Sequence, residues 1–174
     1  EQIVNSRTKK IPVRIKADGA VEVSNNIDLL KAINDARPGT VILMNKGVYE
    51  GKVSISNKSG MEEKPIVIRG KSRSDCIIKG TFTIENGKYI HVENMTIFGG
   101  DTGIYLSKCE SVVIRDNLVL KVNLGIYAKG GHTNLYIENN AVIGNNVFGD
   151  VSKDTWNDEG IVVTGMGIEV ANNT

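Results

Sequence analysis

Short stretches of alternating β-branched and polar residues recur along the chain, and they recur in one phrase. HVENMTI (91–97), VIRDNLV (113–119), YIENNAV (136–142) and EVANNT (169–174) align so that Val92, Ile114, Ile137 and Val170 share a position. The steps between them are 22, 23 and 33 residues. In the same register Met95, Asn117, Asn140 and Asn173 coincide. A second phrase follows each of the first three: GIYLSK (103–108), GIYAKG (125–130) and GIVVTG (160–165). It places Ile104, Ile126 and Ile161 at one position, and Leu106, Ala128 and Val163 at another. TFTIENG (81–87) fits one step earlier through Phe82 and Ile84.

A period of two predicts strands. A repeat of this length, holding short strands separated by turns, is too short for a propeller blade and lacks the pattern of a leucine-rich repeat. It fits one coil of a parallel β-helix. There each strand pairs with its equivalent in the next coil, and residue types stack on themselves. Asparagine is depleted in strands and favoured in turns. Asn117, Asn140 and Asn173 are therefore expected at a corner between strands, bonding the backbone of their own and neighbouring coils.

Between positions 25 and 39 the period changes. Ile27, Leu30, Ile33 and Ala36 lie near helical spacing, Asn26 is the expected N-cap, and Pro38-Gly39 stops the helix. A short amphipathic helix here would close the open end of the stack, since terminal repeats need a cap. The reading is a single domain: a capping segment and helix over 20–39, then β-helix coils over 40–174. TVILMNKGVYEGKVSI (40–55) and KPIVIRG (64–70) begin the first coils. The final phrase stops at Asn173-Thr174 with no closing element. That leads to the expectation of an uncapped end, continued by further chain or covered by a second one.

Composition narrows the function classes. The 174 residues suit one domain with a sizeable core. Charges balance, 21 basic against 20 acidic, and no basic run extends beyond Lys9-Lys10, so nucleic-acid binding is not expected. The longest apolar runs resemble Val41-Ile42-Leu43-Met44, far short of the ~20 residues of a membrane-spanning helix, so no membrane partner is expected. Cys76 and Cys109 do not make a disulfide framework and are expected as separate thiols. The chain opens Glu1-Gln2 without an initiator methionine, which points to processing.

INDARPGTVILMNKGVYEG followed by KPIVIRG resembles the opening of right-handed parallel β-helix proteins of the pectate-lyase-like superfamily. It is similar in particular to alginate-lyase and chondroitinase-B-like members, over roughly residues 20 to 174. The resemblance implies an all-β, right-handed solenoid and a secreted or periplasmic protein that acts on a polysaccharide. It also implies that the GIY strands border the substrate groove. The architecture hosts lyases, hydrolases, epimerases and non-catalytic surface proteins. In the resembling lyases the catalytic groups tend to lie on later coils than this chain contains.

Alternation supplies a candidate face. If Ile104 and Leu106 point inward, then Tyr105 and Ser107 point out, as do Tyr127 and Lys129, Val162 and Thr164, and Thr83 and Glu85. Tyr105 and Tyr127 become neighbours about 4.8 Å apart. Aromatic faces suit the CH-rich faces of sugar rings, though a tyrosine pair also serves simply to shield strands. Tyr105, Tyr127, Trp156 and Glu85 are the candidate substrate-binding residues. The insertion NVFGDVSKDTWNDEG (146–160) supplies Asp150, Asp154, Asp158 and Glu159 as candidate Ca²⁺ ligands. Their spacing echoes an EF-hand loop, but Thr155 stands where that loop needs glycine and Ile161 where it needs a bidentate glutamate. A looser calcium site and a solvated acidic loop both remain open. β-Elimination from a uronate needs a neutralised carboxylate, a base and an acid. Lys129, His132 and Lys153 are the candidate catalytic residues, with Tyr127 close by. Hydrolysis needs two opposed carboxylates, and Glu85 alone points out of this face, so a glycosidase ranks below a lyase. The expected function is a polysaccharide lyase acting on a uronic-acid polymer. The alternative is a non-catalytic β-helix module for carbohydrate binding or cell-surface structure.

Overall fold

The computed structural model describes residues 12–143 and 160–174. After β1 (Val21–Val23) and the helix α1 (Asn26–Asp35), the chain winds in coils of three strands. The first comprises β2 (Val41–Met44), β3 (Gly47–Glu50) and β4 (Val53–Ser56). The second comprises β5 (Ile66–Gly70), β6 (Cys76–Lys79) and β7 (Phe82–Glu85). The third has β8 (Ile90–Glu93), β9 (Thr96–Phe98) and β10 (Thr102–Ser107). The fourth has β11 (Val113–Arg115), β12 (Leu118–Leu120) and β13 (Leu124–Thr133). Then come β14 (Tyr136–Glu138), β15 (Ala141–Ile143) and β16 (Ile161–Met166), followed by β17 (Glu169–Ala171).

Each coil gives one strand to each of three parallel sheets. Sheet A runs β1-β2-β5-β8-β11-β14-β17, sheet B β3-β6-β9-β12-β15, and sheet C β4-β7-β10-β13-β16. This is a parallel β-helix, right-handed as parallel crossovers are. The repeat phrases are its coils. Val92, Ile114, Ile137 and Val170 stand in one column of sheet A, which continues back through Ile68 and Ile42. Phe82, Ile104, Ile126 and Ile161 form a column of sheet C, with Ile84, Leu106, Ala128 and Val163 beside it. Apart from the exposed Val170, these columns meet inside as one apolar core. Each buried aliphatic side chain contributes about 1.5–3 kcal/mol.

The asparagines make the corner between sheets A and B. Asn94, Asp116, Asn139 and Asn172 all take left-handed backbone, φ 57°, 57°, 52° and 53°. Asparagine and aspartate accept that conformation most readily after glycine. The next residue in each later coil is the buried ladder. Asn117 Oδ1 accepts from the Met95 N–H at 3.2 Å, Asn140 Oδ1 from the Asn117 N–H at 3.1 Å, and Asn173 Oδ1 from the Asn140 N–H at 2.9 Å. Their Nδ2 groups donate to the Val92, Ile114 and Ile137 carbonyls at 2.8–3.0 Å. The AsnAsn pair at 139–140 thus divides its work: the first turns the chain and the second joins two coils.

The glycine of GIY has a steric reason. A Cβ on Gly103 would meet Val119 and the Gly125 carbonyl, and one on Gly125 would meet Val142 and the Gly160 carbonyl. Sheets B and C close too tightly here for any side chain.

At the N-terminal end the pattern reading needs three corrections. The N-cap is Asn25, one residue earlier than expected, whose side chain accepts from the Asp28 N–H at 2.9 Å. The helix buries Leu29 and Ile33, while Ile27 is 80% exposed. Ile27 stands two residues before Leu29, about 200° around the helix, and so faces away from the packed side. β1 also belongs to sheet A, so the stack begins before the helix. α1 packs on β1, β2 and β4 and covers that end of the core.

The outer face of sheet A carries an ionic column. Arg69, Glu93, Arg115 and Glu138 occupy one register position on β5, β8, β11 and β14. Arg69 Nε donates to Glu93 Oε2 at 2.7 Å, Arg115 Nε lies 3.1 Å from Glu93 Oε1, and Arg115 Nη1 donates to Glu138 Oε1 at 3.3 Å. The segment before β1 lies over this column. Arg14 pairs with Asp116 and approaches Glu93 at 3.8 Å, and Arg69 Nη2 donates to the Ile15 carbonyl at 2.9 Å. Glu93 is 0% exposed. Burial alone would raise its pKa, but His91, Arg115 and Arg69 together outweigh that and hold it at about 2. The His91 contact is 3.5 Å, long for a hydrogen bond, so the arginines carry most of the pairing.

Asn117→Ala strands the Met95 N–H and the Val92 carbonyl without their partner. The expected loss is about 2–4 kcal/mol, read by urea unfolding with unchanged m-value. The Glu93 carboxylate is depressed in the folded state, so its stabilisation is complete above the ordinary glutamate pKa and fades as pH falls toward 2. The wild type should therefore lose about 3 kcal/mol more than Glu93→Gln between roughly pH 5 and pH 2, measured by denaturant melts at each pH.

Candidate carbohydrate-binding face

The outer face of sheet C collects the polar and aromatic residues of the GIY phrases. Parallel pairing sets Ser54, Thr83, Tyr105, Tyr127 and Val162 in one row. Ser56, Glu85 and Ser107 follow in a second row, and Lys129 stands directly after the paired Ala128. Tyr105 and Tyr127 stack as the alternation predicts, with ring centroids 6.0 Å apart and planes inclined by 11°. Lys129 Nζ lies over the Tyr127 ring, 5.4 Å from its centroid, a cation–π contact. Glu85 is half-buried in the same face. Thr83 also points outward yet is only 2% exposed, because its neighbours cover it.

Lys129 owes its place to a β-bulge. Ala128 pairs with Val163 and His132 with Gly165, so Lys129, Gly130 and Gly131 stand opposite Thr164 alone. Gly130 and Gly131 take left-handed backbone, φ 91° and 71°, which glycine adopts without strain. The Gly130 N–H donates to Thr164 Oγ1 at 2.9 Å.

His132, one of the residues expected to move protons, does not reach this face. It is 1% exposed, and its Nδ1 accepts from the Cys109 N–H at 3.2 Å. The acceptor role fixes Nδ1 as unprotonated, and burial lowers the pKa. The ring is a neutral corner group under the bulge and is closed to a substrate. Cys109 is buried beside it, and Cys76 is buried elsewhere in the core; both are free thiols, as expected. Lys153, Trp156, Asp150, Asp154, Asp158 and Glu159 lie outside the described residues. Among the described residues no group of three or more His, Cys, Asp or Glu side chains is placed to hold a metal ion.

The tyrosine face is open and shallow. A deeper apolar groove of about 620 Å³ lies on the outer face of sheet B, lined by Val48, Ile77, Phe98, Leu118 and Leu120. Its only charged pair is Glu50 with Lys79 at 3.4 Å, so it offers little for acid–base chemistry. Two features escaped the sequence reading. The ionic column was visible as an alternation of Arg and Glu at one repeat position. The Gly130–Thr164 bond was signalled only by an extra glycine after GIYAK.

Comparison with known proteins agrees with this geometry. Residues 23–103, under half of the chain, match the chondroitinase B family model. No curated protein sequence matches. The alginate lyase from Paenibacillus sp. str. FPU-7 superposes with a TM-score of 0.53 at 15% identity, covering 88% of this chain and 75% of that one. The PL6 family alginate lyase AlyGC is 18% identical with a TM-score of 0.44, and 70% of this chain covers 18% of it. The PL6 family polysaccharide lyase Pedsa3628 from Pseudopedobacter saltans is 20% identical with a TM-score of 0.44, the match covering 71% of this chain and 36% of that one. The chain thus spans about a fifth to a third of the length of these last two. At 15% identity the likeness to the Paenibacillus structure shows the fold alone.

Tyr127→Ala removes half of the stacked pair from a partly exposed position. Affinity for acidic oligosaccharides should fall about tenfold, by isothermal titration, with little change in melting temperature.

Proposed function

We propose that this chain, a parallel β-helix of the pectate-lyase-like superfamily, is part of a polysaccharide lyase that cleaves a uronic-acid polymer by β-elimination. The observation that carries the reading is the Tyr105–Tyr127 stack with Lys129 over its edge. Tyrosine faces take the CH-rich side of pyranose rings, and an ammonium beside them takes a carboxylate. The match to the chondroitinase B family and the likeness to alginate lyases support the choice of reaction.

In the elimination a base removes the proton at C5, the C4–O bond breaks, and the departing oxygen takes a proton. The carboxylate at C5 must be neutralised for that proton to leave. Lys129 is proposed for carboxylate recognition and proton transfer, with Tyr127 beside it, and Glu85 for bonding a sugar hydroxyl further along the face. The acidic residues Asp150, Asp154, Asp158 and Glu159 supply the hard oxygen donors that Ca²⁺ prefers, and we include that ion in the proposal. A secreted or periplasmic setting follows from a polymeric substrate.

The second reading, a non-catalytic carbohydrate-binding module, is favoured by His132. With that ring buried, Lys129 and Tyr127 are the proton-transfer groups on the described face. Incubation with alginate, pectate and chondroitin, with and without Ca²⁺, separates the two. Growth of ultraviolet absorbance from unsaturated ends is the expected result. Binding without any absorbance change leaves the module, and neither binding nor cleavage removes both.

A further inference from the structure

Among the described residues, the bulge in β13 is the one place where the coil-to-coil register slips within sheet C. Elsewhere in that sheet each outward side chain is paired one-to-one with those above and below. Here three residues face one. The additional length leaves the ladder between Ala128 and His132, and two glycines in left-handed backbone turn it. A side-chain bond ties it to the next coil: the Gly130 N–H donates to Thr164 Oγ1 at 2.9 Å. Gly130 follows Lys129 directly, so this bond fixes the peptide from which the lysine stem departs.

We propose that Thr164 is a positioning residue: through Gly130 it holds the Lys129 ammonium over Tyr127, and so sets the preference of the face for carboxylated over neutral sugars. The inference deepens the reading of sheet C as a sugar-binding face and rests on it for the selectivity. The placement of Lys129 itself does not depend on any sugar. A bulge re-aims one side chain while the flanking strands keep their register. Here the side chain is, among the described residues, the only lysine in the outward rows of sheet C. Lysine has a flexible four-carbon stem, and an unpinned bulge would let its charge sweep through solvent. Pinned, the ammonium stays at the edge of the tyrosine stack, where a uronate carboxylate would arrive with its ring on Tyr127. A neutral sugar would use the stack alone.

Thr164→Val keeps the shape and strand propensity and removes the acceptor. Thr164→Ser restores the acceptor. Thr164 is exposed, so neither change should disturb the core. The first readout needs no ligand. In the wild type and in Thr164→Ser, the ε-methylene protons of Lys129 should be shifted upfield by the Tyr127 ring current in the NMR spectrum. In Thr164→Val they should move toward the position of a free lysine. An unchanged shift in Thr164→Val overturns the positioning role, whatever the face binds.

The second readout is titration with an alginate-derived tetra-uronate and with cellotetraose. Thr164→Val should bind the uronate roughly fivefold more weakly, with cellotetraose unchanged and Thr164→Ser like the wild type. Equal losses for both sugars overturn the selectivity. If the wild type binds neither, the sugar-binding reading and the selectivity fail together, while the proton shift still decides whether Thr164 positions Lys129.

Discussion

Buried asparagine amides that must meet the backbone of the preceding coil hold this molecule in register. Asn117 and Asn140 have no water to fall back on, and each bonds both a backbone N–H and a backbone carbonyl of the coil before its own. A coil displaced by one residue would break these bonds and turn its inward aliphatics to the outside. The apolar columns supply most of the stabilisation, but they would tolerate a slide by two residues, which keeps the same faces inward. The asparagines do not. Correct alignment at this corner then carries around to sheet C, where it sets tyrosine on tyrosine.

That constraint explains why the fold was legible and parts of the face were not. The columns through Val92, Ile114 and Ile137, and the outward tyrosines, follow from a repeat that the chain prints openly. The helix was less legible, because Ile27, Leu30 and Ile33 satisfy a helical period while the real stripe runs through Leu29 and Ile33. The choice is made by packing against β1, β2 and β4, which the helical period alone does not show. His132 misled for a different reason. A histidine beside two glycines reads as an exposed loop residue, yet the bulge turns its ring inward to accept from the Cys109 N–H. The position of Lys129 follows from that same irregularity, which no regular period can forecast.

The three outer faces have taken different roles. Sheet A is covered by the segment before β1, and its column of arginine and glutamate pairs with that segment and with itself. Sheet B presents aliphatic and aromatic side chains with one exposed ion pair. Sheet C alone combines stacked aromatic rings with a cation, hydroxyls and a carboxylate on one open surface. Of the three, it has the chemistry to hold an acidic sugar chain.

Hydrogen exchange of the asparagine side-chain amides tests the stacking most directly. The Nδ2 protons of Asn117 and Asn140 should exchange far more slowly than those of exposed Asn139, with protection approaching that of the core backbone amides. Exchange of Asn117 and Asn140 at the rate of Asn139 would contradict the buried ladder and the coil register built on it.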